Sequence, residues 1–342
     1  MQAGILRKVK GGLARESVYG VKETLPNIFP LGMVEFMMEE VIDKTENKAM
    51  LGSTYEVDKV RETNRYAKLT LKLKLDENIL PLILLQNFSI SSSLVSGESA
   101  VWEHVLTYLH NNASGEGQSF TFFVDDPDLQ DEYYTGLRFD KFDFPVVVKD
   151  EVYIELTGVS NYPVAQSVSI PISASPNSFV GKNTTFQLAK IAEELATQRA
   201  LNLTLRHSYP LSGDDINFAL GNGGLTQLFT QSPRFGIEFK DVLSDYELRT
   251  LWSDNEEVKA RASLIDTTRY VEGSVANTNP SVVFDYPAGF LTGDGFKREG
   301  AANDIRQQNI KILPVDDPAV EKAPVEITVV NAIEDYDIAA AS

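Results

Sequence analysis

Alternation of apolar and polar side chains organises this chain. In KLTLKLKL (68–75), Leu69, Leu71, Leu73 and Leu75 fall on one side of an extended strand. Lys68, Thr70, Lys72 and Lys74 fall on the other, the two-residue period of a half-buried antiparallel strand. Comparable patterns predict strands at 33–42, 66–75, 119–124, 136–148 and 151–158, then at 281–285, 308–313 and 324–331. The segments LTLRH (203–207) and RFGIEF (234–239) have the same character. Two stretches read as helices. DENILPLILLQN (76–87) predicts a short one with Asp76 as N-cap, provided Pro81 falls in the first turn. KDVLSDYELRTLW (240–252) predicts another, with Ser244 and Glu247 as a capping box. The expected fold is mainly β with short helices. Each half is a β-sandwich or barrel with one α-helix, packing that helix on one sheet face and leaving the other face polar.

This grammar is written twice. ARESVYGV (14–21) resembles GKNTTFQL (181–188), with Arg15, Tyr19 and Val21 matching Lys182, Phe186 and Leu188. VEFMM (34–38) then matches LTLRH, Leu51-Gly52 matches Leu220-Gly221, and Arg65-Tyr66 matches Arg234-Phe235. Finally VYIELTG (152–158) matches VEITVVN (325–331), each followed by a tyrosine, Tyr162 and Tyr336. Their collinear order points to an internal duplication. The boundaries are a first repeat at 1–165, a linker at 166–177 and a second repeat at 178–342. Prolines and serines in PVAQSVSIPISASPNS (163–178) exclude a helix there and suggest an extended connector lying on the structure.

Composition narrows the chemistry. A chain of 342 residues with 43% hydrophobic side chains can bury two ordinary cores. Without cysteine, disulfides, zinc–thiolate sites and cysteine nucleophiles are excluded. Three histidines, His104, His110 and His207, argue against a multi-histidine metal centre. The start, MQAGILRKVKGG, lacks the apolar core of a secretory signal. The longest apolar run, ILPLILL (79–85), falls far short of the roughly 20 residues of a membrane helix, so a soluble protein is expected. A net charge of −18 argues against an ordinary nucleic-acid binder. It fits a surface past which nucleic acid moves without sticking.

Candidate sites are few. Asp125-Asp126-Pro127-Asp128 and Asp214-Asp215 offer oxygen ligands for a cation, but Asp/Pro sequences form solvated turns readily and the spacing is not that of an EF-hand. No GxSxG nucleophile motif is present. GNGG (221–224) and GDGF (293–296) lack the Lys-Ser/Thr of a phosphate loop and read as loop tips. No enzyme, metal or cofactor is expected. Arg7, Lys8 and Lys10 form a basic N-terminal segment in an acidic chain. It reads either as a loose tail or as an arm docking on an acidic neighbour. Trp102 and Trp252 sit among aliphatics and are expected in the core, on helices.

The lead-in ARESVYGVKETLPNIFPLG, the long loop ending in LG, the strand–helix unit and the closing VxIxV strand with its Asn and Tyr together resemble the tail tube (major tail) proteins of long-tailed bacteriophages. FVGKNTTF (179–186) is similar to that lead-in too. The resemblance implies a virion protein of the phage tail, made in the host cytoplasm. Family members commonly carry one domain and stack as six-membered rings, so a duplicated chain implies homotrimeric rings with pseudo-sixfold symmetry. It also implies that one sheet of each domain joins its neighbours into a β-barrel around a lumen, which pairs every strand edge. Lys68, Thr70, Lys72, Lys74, Glu238 and Lys240 are then candidate lumen-facing residues on a net-acidic wall, and Arg7, Lys8 and Lys10 candidate inter-ring contacts. Implied partners are further copies of the chain, a tape measure protein and a tail terminator, with DNA passing unbound and no membrane involved. Two other readings remain open. One is a tandem β-domain binding module for a surface or carbohydrate, and the other a tube protein of a contractile injection system, whose subunits are typically single-domain.

Overall fold

The computed structural model describes residues 9–22, 28–47, 59–109, 118–170, 178–198, 200–211, 225, 228, 232–242, 247–292, 307–315 and 323–336. The first half contains β1 (Lys10–Arg15), β2 (Phe29–Leu31), β3 (Met33–Asn47), β4 (Lys59–Lys74), α1 (Leu80–Leu84), β5 (Phe88–Leu94), β6 (Trp102–Tyr108), β7 (Phe120–Asp125), β8 (Glu132–Val147), β9 (Tyr153–Asn161) and β10 (Val164–Ala165). The second contains β11 (Thr184–Lys190), β12 (Ala196–Gln198), β13 (Ala200–Ser208), β14 (Arg234–Val242), α2 (Glu247–Ser253), β15 (Glu257–Ile265), β16 (Ser281–Thr292), β17 (Gln307–Pro314) and β18 (Glu326–Asn331).

The fold is mainly β, as the alternation requires. The four leucines of 69–75 are all buried while Lys68 and Thr70 are exposed. Around β4 the ladder continues as β3–β4–β9–β8–β13–β14–β17–β16, antiparallel throughout. This one sheet runs unbroken through both halves, joined where β13 zips onto β8 from Asn202 opposite Val147 to Ser208 opposite Lys141. Its apolar face carries Leu71, Leu156, Phe144, Leu205, Ile237 and Ile312, all buried. Over that face lie β1 with β7, β11 with β15, and both helices. The core does not stop at the repeat boundary: Phe144 packs on Phe284 at 5.0 Å and Phe142 on Tyr209 at 5.3 Å between ring centroids.

The helices are shorter than the pattern suggested. Pro81 does fall in the first turn of α1, but Ile79, not Asp76, is the N-cap. The Asp76 carboxylate instead accepts the backbone N–H of Asn78, while its carbonyl accepts those of Ile79 and Leu80. A local Asx turn has outcompeted the cap. The second helix starts at Glu247, and Ser244 lies outside the described residues. Trp252 is on α2, but Trp102 opens strand β6. Both are half-buried.

The two halves share one wiring diagram. β1 pairs with β2 and β7, β7 with β8, β8 with β9 and β10, β9 with β4, and β4 with β3. In the same order, β11 pairs with β12 and β15, β15 with β16, β16 with β17 and β18, β17 with β14, and β14 with β13. Even the irregularity recurs, since the ladder slips between Phe120 and Phe122 in one half and between Val258 and Ala260 in the other. Counting outward from that bulge sets Leu13-Ala14-Arg15 on Leu188-Ala189-Lys190, Leu69 on Ile237, Lys72 on Lys240, and the opposed pair Arg138 and Val159 on Phe290 and Leu313.

This correspondence differs from the one the motifs suggested. Arg15 answers to Lys190 rather than Lys182, because the first half has a longer connection after its opening strand. The closing-strand match also fails: VYIELTG lies in β9, between β4 and β8, whereas VEITVVN lies in β18, between β16 and β6. The positional partners of these strands are β17 and β10. Any strand buried on one side repeats apolar residues every second position, so the two resembled each other without holding the same place. The first half alone carries the hairpin β5–β6, inserted between α1 and β7. Leaving β10, the described part of the linker lies on the first half, where Val168 and Ile170 pack with Ala14, Ile28 and Phe123.

A candidate assembly surface

The uncovered face of the long sheet brings the lumen candidates together. Lys68, Thr70, Lys72 and Lys74 from β4, and Glu238 and Lys240 from β14, all project from this one face, each exposed or half-buried. The sequence had placed Lys68 to Lys74 and Glu238 in separate strands and Lys240 at the start of a helix, whereas β14 runs on through Lys240 to Val242. The ladder puts Glu35, Met37 and Glu39 of β3 opposite Lys72, Thr70 and Lys68.

Charge on this face is mixed rather than net acidic. Lys72 pairs with Glu155 at 3.5 Å and Lys74 with Glu151 at 3.0 Å. Lys141 pairs with Asp143 at 2.6 Å, and Glu238 takes both Arg206 at 3.2 Å and Lys311 at 3.0 Å. The acidity of the whole chain therefore does not describe this face. Antiparallel neighbours favour opposite charges and penalise like ones, so a long polar face tends to alternate in sign whatever the net charge. Each such exposed pair is worth roughly 0–1 kcal/mol. They set the pattern of the field more than the stability.

The opening strands of the two counterpart hairpins, β13–β14 and β3–β4, face different situations. β13 has β14 on one side and β8 on the other. β3, its positional counterpart, has β4 on one side and no partner on the other among the described residues. It is 15 residues long, and Met37 on it is 63% exposed. A long unpaired edge is a template for another strand.

A second set of contacts locks the halves together in the outer layer. The hairpin β5–β6 adds itself to β18, from Trp102 opposite Asn331 to Thr107 opposite Glu326. At its tip the Glu98 carboxylate accepts bonds from Ser274 Oγ (2.6 Å), Thr278 Oγ1, Val275 N (2.7 Å) and Ala276 N (3.1 Å). Those donors, the Ser274 hydroxyl foremost, hold its pKa down at about 2. Nearby, Arg269 grips Glu77 with two bonds of 2.7 Å and Asp266 with a third, the planar fork for which arginine is suited. Sequence reading missed this lock. WEHVLTY does alternate, but the tryptophan in a run of aliphatics suggested a helix, and FSISSSL is too rich in serine to stand out.

The remaining candidates resolve locally. His104 accepts from Ser92 Oγ at 2.8 Å through Nδ1, and its Nε2 donates to the Ile333 carbonyl at 2.8 Å and toward Asn331 Oδ1 at 3.1 Å. Burial lowers its pKa, so the neutral ring bridges hairpin and β18. His207 is fully buried beside Tyr286 Oη (2.9 Å), and burial drives its pKa down to about 3. His110 lies outside the described residues, as do Asp214 and Asp215. In the acidic turn, Asp126 accepts the N–H groups of Asp128 and Leu129 at 3.0 and 3.2 Å. Asp131 accepts those of Asp126 and Val168, each at 3.0 Å. The carboxylates serve a turn. Lys10 begins β1 and rests on Asp125 of its own chain at 3.0 Å; Arg7 and Lys8 lie outside the described residues.

No protein-family model matches this chain, and no curated protein matches it either. The functional reading therefore rests on its own residues and geometry.

Proposed function

We propose that this chain is a duplicated tail tube protein, three copies of which close a ring that stacks into the DNA conduit of a phage tail. The observation that carries the reading is the contrast between β13 and β3. One is zipped to the first half of its own chain; the other offers the same edge with no strand paired to it among the described residues. Repeating the internal join from chain to chain extends the sheet in one direction, and a closed ring removes every edge. The face then turned inward is the one carrying Lys68, Thr70, Lys72, Lys74, Glu238 and Lys240. Its close alternation of charge presents a passing phosphate backbone with no continuous basic track, and so with no deep binding well. Ring stacking falls to the loops and the basic N-terminal segment, with tape measure and terminator proteins as further partners.

Negative-stain electron microscopy of the purified protein tests this. The expected images are hollow rings or tubes with a pseudo-sixfold outline, built from three copies by mass. A chain that stays monomeric at high concentration, with no hollow particles, overturns the reading.

A further inference from the structure

The two halves carry different charge on matching strands of the polar face. In the first, Lys68, Lys72 and Lys74 of β4 are met by as many acids, Glu35 and Glu39 of β3 and Glu155 of β9. In the second, Arg206 of β13, Arg234 and Lys240 of β14 and Lys311 of β17 share the face with a single described acid, Glu238. The difference lies in the neighbours. Lys72 and Lys240 hold matching places, but Lys72 sits between Glu35 and Glu155, and Lys240 between Asn202 and Asn309. Glu39, opposite Lys68, is answered by Arg206, opposite Gly236. Each balancing acid of the first half is therefore an amide or an arginine in the second. Glu238 takes both Arg206 and Lys311. Across the join Arg206 also lies opposite Asp143, which Lys141 holds at 2.6 Å. Arg234 and Lys240 have no ion pair among the described residues. They stand six residues apart on β14, about 20 Å at the rise of a strand.

We propose that the second half's part of this face is a shallow seat for the phosphate backbone of DNA, held without regard to sequence by Lys240, Lys311, Arg206 and Arg234. The inference rests on the conduit reading for its choice of polyanion, and it gives the two halves different duties. The first half is balanced in charge and lets DNA pass; the second touches it. Cations strung singly along a flat sheet suit a linear polyanion, whereas a compact anion needs donors that converge. The side-chain amides of Asn202 and Asn309 add N–H donors of the kind that bond phosphate oxygens. Glu238, in the middle of the four cations, interrupts the track and keeps the contact weak.

A fluorescent duplex of about 20 base pairs and mixed sequence is titrated with the full-length chain, at concentrations where sedimentation shows single copies. Neutralising about three phosphates lowers affinity roughly 40-fold between about 50 and 200 mM salt, and that dependence is expected in the anisotropy. Lys240→Gln should bind at least about fivefold more weakly with melting unchanged, since it removes one phosphate contact. Lys72→Gln, at the matching place between two acids, should lose less than about twofold. Lys259→Gln, on β15 in the other layer, controls for the loss of one positive charge and should bind as the parent. Should Lys240→Gln fail to fold, Arg234→Gln decides in its place. No binding, binding indifferent to salt, or equal losses at Lys72 and Lys240 overturns the seat. Displacement of the duplex by polyglutamate of equal charge, at equal concentration, assigns the face to an acidic protein chain and overturns it too. Rings in the microscope without DNA binding remove the seat and leave the conduit reading. Salt-dependent binding by a chain that never forms rings keeps the seat and overturns the conduit.

Discussion

Strands β13 and β3 hold matching places in the two halves of this protein, yet among the described residues one is interior and the other is an edge. Nothing in their own sequences announces the difference: both alternate, and both pair with the strand that follows them. What separates them is connectivity. The chain that leads into β13 also supplies β8, whereas no described strand before β3 lies along its other edge. The lesson is that one hairpin can be a finished part of a molecule or an invitation to another, depending on what lies upstream.

The sharpest way to break the comparison is to damage the finished join. Phe144→Ala removes a ring that packs on Phe284 across the halves, and such a truncation costs about 3–5 kcal/mol. Chemical denaturation should show a matching loss, in a single transition if the halves unfold together. Next comes Asn331→Ala. This buried amide donates to the Glu77 carbonyl at 2.8 Å and to Tyr336 Oη at 2.6 Å, and leaving such partners unpaired costs about 1–3 kcal/mol. The same melt would reveal it.

The Glu98 clamp gives a pH signature. Its pKa is held at about 2 in the folded chain, below the ordinary glutamate value of about 4.3. A depressed acid stabilises fully above the unfolded pKa and loses that contribution as pH falls through the folded one. Glu98→Gln should therefore melt below the parent at pH 7, and the two curves should converge as pH drops from about 4 toward 2. Persistence of the gap at pH 2 would remove the clamp from the account. The smallest effect is expected from Lys72→Gln, which breaks a half-exposed pair with Glu155 and should shift stability by less than about 1 kcal/mol. On the open side of the comparison, Glu39→Lys should leave the melt of the single chain nearly unchanged, since Glu39 is exposed, while altering any assembly along β3.

Much of this was legible beforehand. Leucines at every second position from 69 to 75 placed β4 and its polar face, and the same rule placed β7, β8, β9, β17 and β18 within a few residues. Alternation also put Lys68, Thr70, Lys72 and Lys74 on one face, whereas Lys240, at the start of the expected helix, lies on strand β14. Partner choice was not legible. A period of two says which side of a strand is buried and not which strand lies next to it, so VYIELTG and VEITVVN read as one position and occupy two. The structural match, Leu13-Ala14-Arg15 with Leu188-Ala189-Lys190, is too short to stand out without the bulge that anchors it. The hairpin β5–β6 escaped for a related reason, as its partner β18 lies over two hundred residues further on.

That hairpin occurs once per chain although the wiring diagram occurs twice. In a ring of three copies, seams inside a chain would be stitched in both layers, through β8–β13 and β6–β18, while seams between chains would be stitched only through the sheet. Such a tube has stiff and compliant seams in alternation around its circumference. Under bending or internal pressure it would yield first along three lines rather than six, so its mechanics would be threefold even where its outline looks sixfold.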